Sequence, residues 1–369
     1  ARIVLGPAER AAFTALPRLE VPRFDDRLAA LLAVPITLAA LKALLSANAP
    51  VGDWDSLAIH MEMPRLYARD GAFTAVTWLL RGMDTLAAGL FYVPALALDD
   101  EESAAMVMVV FQALMALLLW SAGRRLAGPR PTLAAVALFL VMPAVTDASG
   151  TPATDLMVGF YGMASFWAAW RAREAGRGWL ALSGVLAGMA VATKISGHLL
   201  AAALLPFILA RRDRKGAAFW LAGAAMAAGP WMARAYHYTG NPVWPHLGPL
   251  FWDDPRLLWL AERARLSVVT GPAEALGGSW PLLVPLLTLA AVSWRRLRSD
   301  AFAHRVILYT ALFTVLWLAI QPLWRYMIPL LPWLCLLCAT WAFSGGARAW
   351  LLLPGFLPML ALGANNEAF

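Results

Sequence analysis

Apolar positions in this chain neither alternate nor recur on one helical face; they run together in long blocks separated by short polar joints. A helix crossing a bilayer needs roughly 17–25 mostly apolar residues, and shorter runs read as re-entrant or interfacial. Blocks of this kind fall near 28–47, 103–121, 132–147, 154–170, 178–194, 197–210, 216–232, 279–294, 306–321, 324–343 and 349–364. The pattern predicts an all-α polytopic membrane protein with about eleven transmembrane helices. Its layout is an N-terminal segment at 1–27 on the cytoplasmic side, a transmembrane module over 28–364, and no soluble C-terminal domain.

Composition agrees: 61% of residues are hydrophobic and 14% charged, where a soluble domain has about 45–50% and 25%. That balance excludes a soluble enzyme, a coiled coil and a disordered chain. The net charge of +7 would suggest nucleic acid in a soluble protein. Here the basic residues sort by side. If the N-terminus is cytoplasmic, 20 of the 30 Lys and Arg lie in inner connections, while the acidic residues fall 16 to 7 on the outer side. This is the positive-inside distribution, so the charge records topology and implies no nucleic-acid partner. Cys335 and Cys338 sit inside an apolar run with no His or Cys cluster nearby, and read as packing. Arg2, Glu9, Arg10 and Arg18 precede the first apolar stretch, so the visible start does not read as a signal peptide.

Two outer segments, 48–102 and 233–278, are too long to be connectors, and loops of that length usually carry function. The first contains GDWDSLAIHMEMPRLYARDG from Gly52 to Gly71. As a helix, 55–69 would place Asp55, Glu62 and Arg69 on one face with His60 pointing elsewhere, and Asp55 in the first turn, where the dipole favours a carboxylate. Asp55 is then either a cap on an interfacial helix or a reactive group. Asp155, Lys194, His198 and Arg325 all fall at the outer ends of predicted spans. A charge at membrane depth costs about 2.5–3.5 kcal/mol on insertion scales, so such groups face a bundle interior or a wet cavity unless Lys and Arg snorkel. Together these residues suit a lipid-borne phosphate, with Arg325 as a planar fork, Lys194 as a point charge and Asp55 as a base on an acceptor.

In this order and topology the motifs resemble GT-C class polyprenyl-phosphate-dependent glycosyltransferases, in the branch similar to aminoarabinose transferases and protein O-mannosyltransferases. The resemblance covers roughly 25–345. It rests on Gly52–Gly71, Thr154-Asp155-Leu156, Ala192-Thr193-Lys194 with Gly197, TGNPVWP from Thr239 to Pro245, and RYMIP from Arg325 to Pro329. It implies an inner (plasma) membrane protein working on its periplasmic face. A sugar would pass from a polyprenyl-phosphate sugar donor to a lipid, glycan or protein acceptor by inverting transfer. The family's first-loop acid falls on Asp55, with Asp53 as competitor. Lys194 and Arg325 match positions near donor phosphate, and Asp155 an acidic position beside the cavity. His60, Glu62, Tyr326 and, in the later loop, His237 are the remaining candidate substrate contacts.

Three features depart from the family pattern. Ile59 and Met61 flank His60, no adjacent Asp-Glu pair occurs within Gly52–Gly71, and no soluble C-terminal domain is expected after the last predicted span. A divalent cation would find hard oxygens on Asp53 and Asp55, but two carboxylates are an incomplete shell. Trp244 or Trp252 would cover the sugar or anchor at the interface. Two other functions compete. A catalytically inactive accessory subunit of a larger membrane complex would account for the altered loop and the 18 Trp. A transporter or flippase would require ionisable residues near mid-membrane and internal repeats, and neither stands out.

Overall fold

The computed structural model describes residues 27–73, 82, 87–259, 300–320 and 324–344. Twelve α-helices carry the described chain: α1 (Arg27–Ala47), α2 (Glu62–Asp70), α3 (Gly89–Leu96), α4 (Glu101–Ala127), α5 (Pro129–Leu140), α6 (Pro143–Ala148), α7 (Asp155–Ala175), α8 (Gly178–Thr193), α9 (Ser196–Leu209), α10 (Arg214–Thr239), α11 (Ala301–Ile320) and α12 (Leu331–Ser344). One turn of π-helix, Ser56–Met61, leads into α2, and a 3-10 turn, Trp324–Met327, leads towards α12. No strand occurs among the described residues.

Helices α1, α4 and α11 are long and apolar enough to cross a membrane, while α5, α8, α9 and α12 are apolar but of only 10–17 residues. The uniform series of eleven spans therefore resolves into unequal elements. The block at 132–147 is two helices, because Pro143 cannot continue α5 and instead opens α6. The block at 324–343 begins with the 3-10 turn, and its helix starts only at Leu331. The blocks at 279–294 and 349–364 lie outside the described residues.

Two devices hold the helices close. In α8, a Cβ on Gly184 would meet the Trp220 carbonyl oxygen at 2.0 Å and one on Gly188 the Ala224 oxygen at 2.4 Å. In return, a Cβ on Gly223 of α10 would meet the Ala181 oxygen at 2.5 Å. Small residues four apart thus let two backbones touch, which gains van der Waals contact where lipid supplies no hydrophobic drive between helices. Beside this seam Ser165 donates to the Ser183 carbonyl at 2.8 Å, Ser183 donates back to the Ser165 carbonyl at 2.9 Å, and Trp220 Nε1 donates to Ser183 Oγ at 3.1 Å. These buried polar groups are satisfied across α7, α8 and α10, which fixes their register.

The core around α7 and α12 is aromatic. Trp317 and Trp333 are almost fully buried, and Phe166, Trp167, Phe302 and Tyr309 pack around Trp333 and α7. Cys335 and Cys338 lie in this core as free, buried thiols, with Cys335 Sγ 3.7 Å from Met142 Sδ.

Candidate functional site

Four elements distant in sequence deliver charge to one end of the bundle. Asp155 opens α7, where the helix N-terminus favours an anion. Lys194 follows the last residue of α8 in extended backbone, so it sits by the carboxyl end of that helix, where a cation is favoured. Asp55 precedes the π-helical turn, and Arg325 lies in the 3-10 turn. Lys194 Nζ donates to Asp155 Oδ1 at 2.8 Å, with both side chains sealed at 8% and 4% exposure. Arg325 pairs through Nη2 with Asp55, both about 30% exposed, while its Nε lies 4.0 Å from Asp155 Oδ2. The result is an alternating chain, Lys194, Asp155, Arg325, Asp55, running from the interior to the surface.

Arg325 reaches this place because α7 is notched. A Cβ on Gly159 would come within 2.9 Å of Ile328, and one on Gly162 within 3.2 Å of Pro329, so these two glycines seat the segment that carries Arg325. Tyr326, 2% exposed, turns its ring under Lys194, whose Nζ is 5.2 Å from the ring centre. Tyr92 donates its hydroxyl to the carbonyl of Ala153 and pins the approach to Asp155. Nothing in the periodicity of its apolar run sets Tyr92 apart.

The π-helical turn changes the expected geometry of the first loop. An ordinary helix would align Asp55 with Glu62 and Arg69; hydrogen bonding from i to i+5 instead aligns Asp55 with His60. His60 is accordingly buried within electrostatic reach of Lys194, Asp55, Asp155 and Arg325, not turned away. Burial, reinforced by Lys194, pushes its imidazole down to about 3, so it is neutral at pH 7. Burial alone would raise the Asp55 carboxyl, but Arg325, with help from Lys194 and His60, holds it below its usual value.

The two loop aspartates have separate jobs. Asp53, exposed, accepts the Ser56 amide at 2.8 Å and so acts as the cap at this helical entry. Asp55 makes no capping bond and is spent on Arg325. Glu62 is half-buried on the Arg69 side, and Arg69 pairs with Asp70 at 2.7 Å, so neither joins the charged chain. His237 is exposed in the last turn of α10 and contacts Tyr238 edge-on at 4.9 Å, apart from the cluster. His198 turns its Nδ1 to the Ile195 carbonyl at 3.1 Å and serves the α8–α9 turn.

The TGNPVWP segment is a compact knot. Asn241 receives the Val243 amide at 2.9 Å and donates to the His246 carbonyl at 2.8 Å, and Trp252 Nε1 donates to the Thr239 carbonyl at 2.6 Å. Trp244 is buried edge-on to Trp252, with a cis bond to Pro245, which is a packing role. Arg234 joins the two outer segments by donating to Tyr67 Oη at 3.3 Å and to the Phe73 and Gly82 carbonyls at 3.0 and 3.2 Å.

Beside the two carboxylates, the buried hydroxyls of Ser56 and Thr154 have no hydrogen-bond partner among the described residues. Neither was marked by the sequence beyond its adjacency to an aspartate. Among the described residues, no three His, Cys, Asp or Glu side chains come together as a metal set.

Residues 88–232 match the family model of dolichyl-phosphate-mannose-protein mannosyltransferase. That stretch includes Asp155 and Lys194 and leaves out Asp55, His60 and Arg325. No curated protein sequence matches the chain. Among solved structures, ArnT from Cupriavidus metallidurans bound to undecaprenyl phosphate superposes with a TM-score of 0.65 at 16% identity, over 90% of this chain and 64% of ArnT. Apo ArnT gives 0.57 at 18% identity, over 88% and 62%. The Archaeoglobus fulgidus oligosaccharyltransferase, in complex with zinc and sulfate, gives 0.50 at 14% identity, over 89% and 53%. This chain thus spans a little under two thirds of ArnT and about half of the oligosaccharyltransferase. With helices as the regular structure of the described residues and these neighbours, the chain has the fold of the GT-C class of membrane glycosyltransferases.

Proposed function

We propose that the protein is a membrane glycosyltransferase that takes a sugar from a polyprenyl-phosphate donor and passes it, with inversion, to a lipid, glycan or protein acceptor on the periplasmic face of the inner membrane. The observation that carries this reading is the shared guanidinium of Arg325, paired with Asp55 at the surface and near Asp155 inside. A donor phosphate entering here would compete with Asp55 for Arg325 and take Lys194 as its second cation. Once Arg325 turns to the phosphate, the influence that holds the Asp55 carboxyl low weakens, and it becomes a better base for the acceptor proton. The two cations then neutralise charge on the departing phosphate. Asp155 holds Lys194 and Arg325 in place, and neutral His60 and Tyr326 line the same site. The structure of ArnT with undecaprenyl phosphate supports the donor class.

The test is transfer from a radiolabelled polyprenyl-phosphate sugar to membrane extract by purified protein, comparing wild type with Asp55→Asn and Lys194→Ala. Transfer that survives both substitutions would overturn the assignment. One observation favours the accessory reading instead: the two acids and two bases already neutralise one another. A wild-type protein that is folded but transfers from no donor would favour that alternative.

A further inference from the structure

The end of the bundle opposite the charged chain holds a shallow, open recess of about 20 Å³ lined by Phe166, Trp170, Leu204, Phe207, Arg211 and Arg305, among others. It lies between α7, α9 and α11, and Trp170 is 15 residues along α7 from Asp155, or about 22 Å at 1.5 Å per residue. It therefore sits near the other boundary of the membrane, among the basic residues that mark the inner side.

Five arginines crowd this corner, and they divide into two kinds. Arg171 pairs with Glu174 at 3.1 Å and Arg177 with Asp213 at 2.9 Å. Arg173, Arg211 and Arg305 form no salt bridge with a carboxylate among the described residues; Asp213 offsets Arg211 from a distance, while the three lie within electrostatic reach of one another and repel. They are nonetheless held in place. Arg211 donates to the Ala172 and Ala169 carbonyls at 2.9 and 3.4 Å, Arg173 stacks 4.4 Å over Trp170, and Arg305 lies 5.9 Å from the Phe207 ring. Below them Phe166, Leu204 and Ile208 are at most 4% exposed and wholly apolar.

We propose that this recess binds an anionic glycerophospholipid of the inner leaflet, with the phosphate between Arg305 and Arg211 and the first acyl carbons along the half-exposed rings of Trp170 and Phe207. The phosphate supplies negative charge that Asp213, already bonded to Arg177, only partly provides to these three guanidiniums, and basic pockets between helices at this depth suit such headgroups. A free phosphate would use the cations and leave the rings of Trp170 and Phe207 bare, which is the reason to assign a lipid.

Native mass spectrometry and thermal unfolding in detergent test this, with dioleoyl phosphatidylglycerol, dioleoyl phosphatidylcholine and inorganic phosphate as separate probes. Phosphatidylglycerol should bind wild type and raise its melting temperature more than either other probe. Arg305→Gln should weaken that binding about fivefold, the effect of about 1 kcal/mol per cation near an anionic lipid surface. Ala169→Trp, which fills the recess from its half-exposed wall and keeps every arginine, should abolish it; this variant decides the matter if Arg305→Gln does not fold. Equal binding of phosphatidylcholine, equal stabilisation by inorganic phosphate, or unaltered phosphatidylglycerol binding by the two variants would each overturn the proposal.

Discussion

Helix α7 carries charge at both ends, and the two ends solve opposite problems. At its start Asp155 is 4% exposed in side chain, and every charge around it is matched, by Lys194 inside and Arg325 outside. Some 18 residues on, Arg173 stands with Arg211 and Arg305, and none of the three is salt-bridged to a carboxylate among the described residues, Asp213 acting on Arg211 only from a distance. Taking a charge out of water is expensive unless it is paired, so depth enforces neutrality at the first end. At the second, Arg173 is exposed and Arg211 and Arg305 are half-buried, and a net positive charge is tolerated. Pairing therefore follows burial along this helix, and the unpaired end is where an external anion has most to offer.

The largest break in this comparison should come from removing one partner of the sealed pair. Lys194→Met leaves buried Asp155 without its hydrogen-bonded partner and with only Arg325, 4.0 Å away, to offset it, which should cost up to about 3–5 kcal/mol in thermal unfolding. Adding Asp155→Asn should recover much of that stability without restoring transfer; a single variant that melts like wild type would contradict the sealed pair. Asp55→Asn should separate function from stability. Its pair with Arg325 is about 30% exposed on both sides and so contributes at most about 1 kcal/mol, yet loss of a general base should lower transfer by about 10²–10⁴. A stability loss as large as that of Lys194→Met would erase the difference between inner and outer pairs.

Gly162→Leu attacks the notch in α7. Overpacking against Leu200 and Pro329 should cost about 1–3 kcal/mol and lower transfer by displacing Arg325, as unfolding and assay together would read.

The most gradual effect is in pH. His60 takes a proton at about 6.5 when unfolded and only at about 3 when folded. Between those values the unfolded state binds more protons, so stability should fall as pH drops from 6.5 towards 3, by up to about 1.4 kcal/mol per unit. Asp55, lowered when folded, adds to the loss below about 4. His60→Asn should flatten the slope between pH 6 and 4; an unchanged slope would show that His60 is not buried neutral.

Much of the helix layout was legible in the primary structure, for a definable reason. Long apolar blocks need no partner to declare themselves, so α1, α8 and α9 begin and end within one residue of the expected positions, while α4 runs six residues past its expected end. Breaks decided by proline context were less visible, as where Val141 and Met142 separate α5 from α6. Asp155, Lys194 and Arg325 stood out because charge is rare at span ends. His60 was misdirected because local sequence does not announce a π-turn. Tyr92, Ser56 and Thr154 were invisible, since a hydroxyl acquires meaning only from what surrounds it. Glu62 and His237 had the right chemistry and fell outside the charged chain.

The sequence by itself determined that this chain is helical, lives in a bilayer, and keeps a few charges that insertion alone does not require. Hydrophobic runs and the cost of burying charge are local quantities, so they can be read one residue at a time. Only the tertiary structure decided which charges meet. The Asp55 to Arg325 pair spans 270 residues, and it forms because Gly159 and Gly162 let one segment settle against α7 while a π-turn rotates another towards it. Such pairing depends on the relative placement of four elements, and no single stretch of sequence contains it.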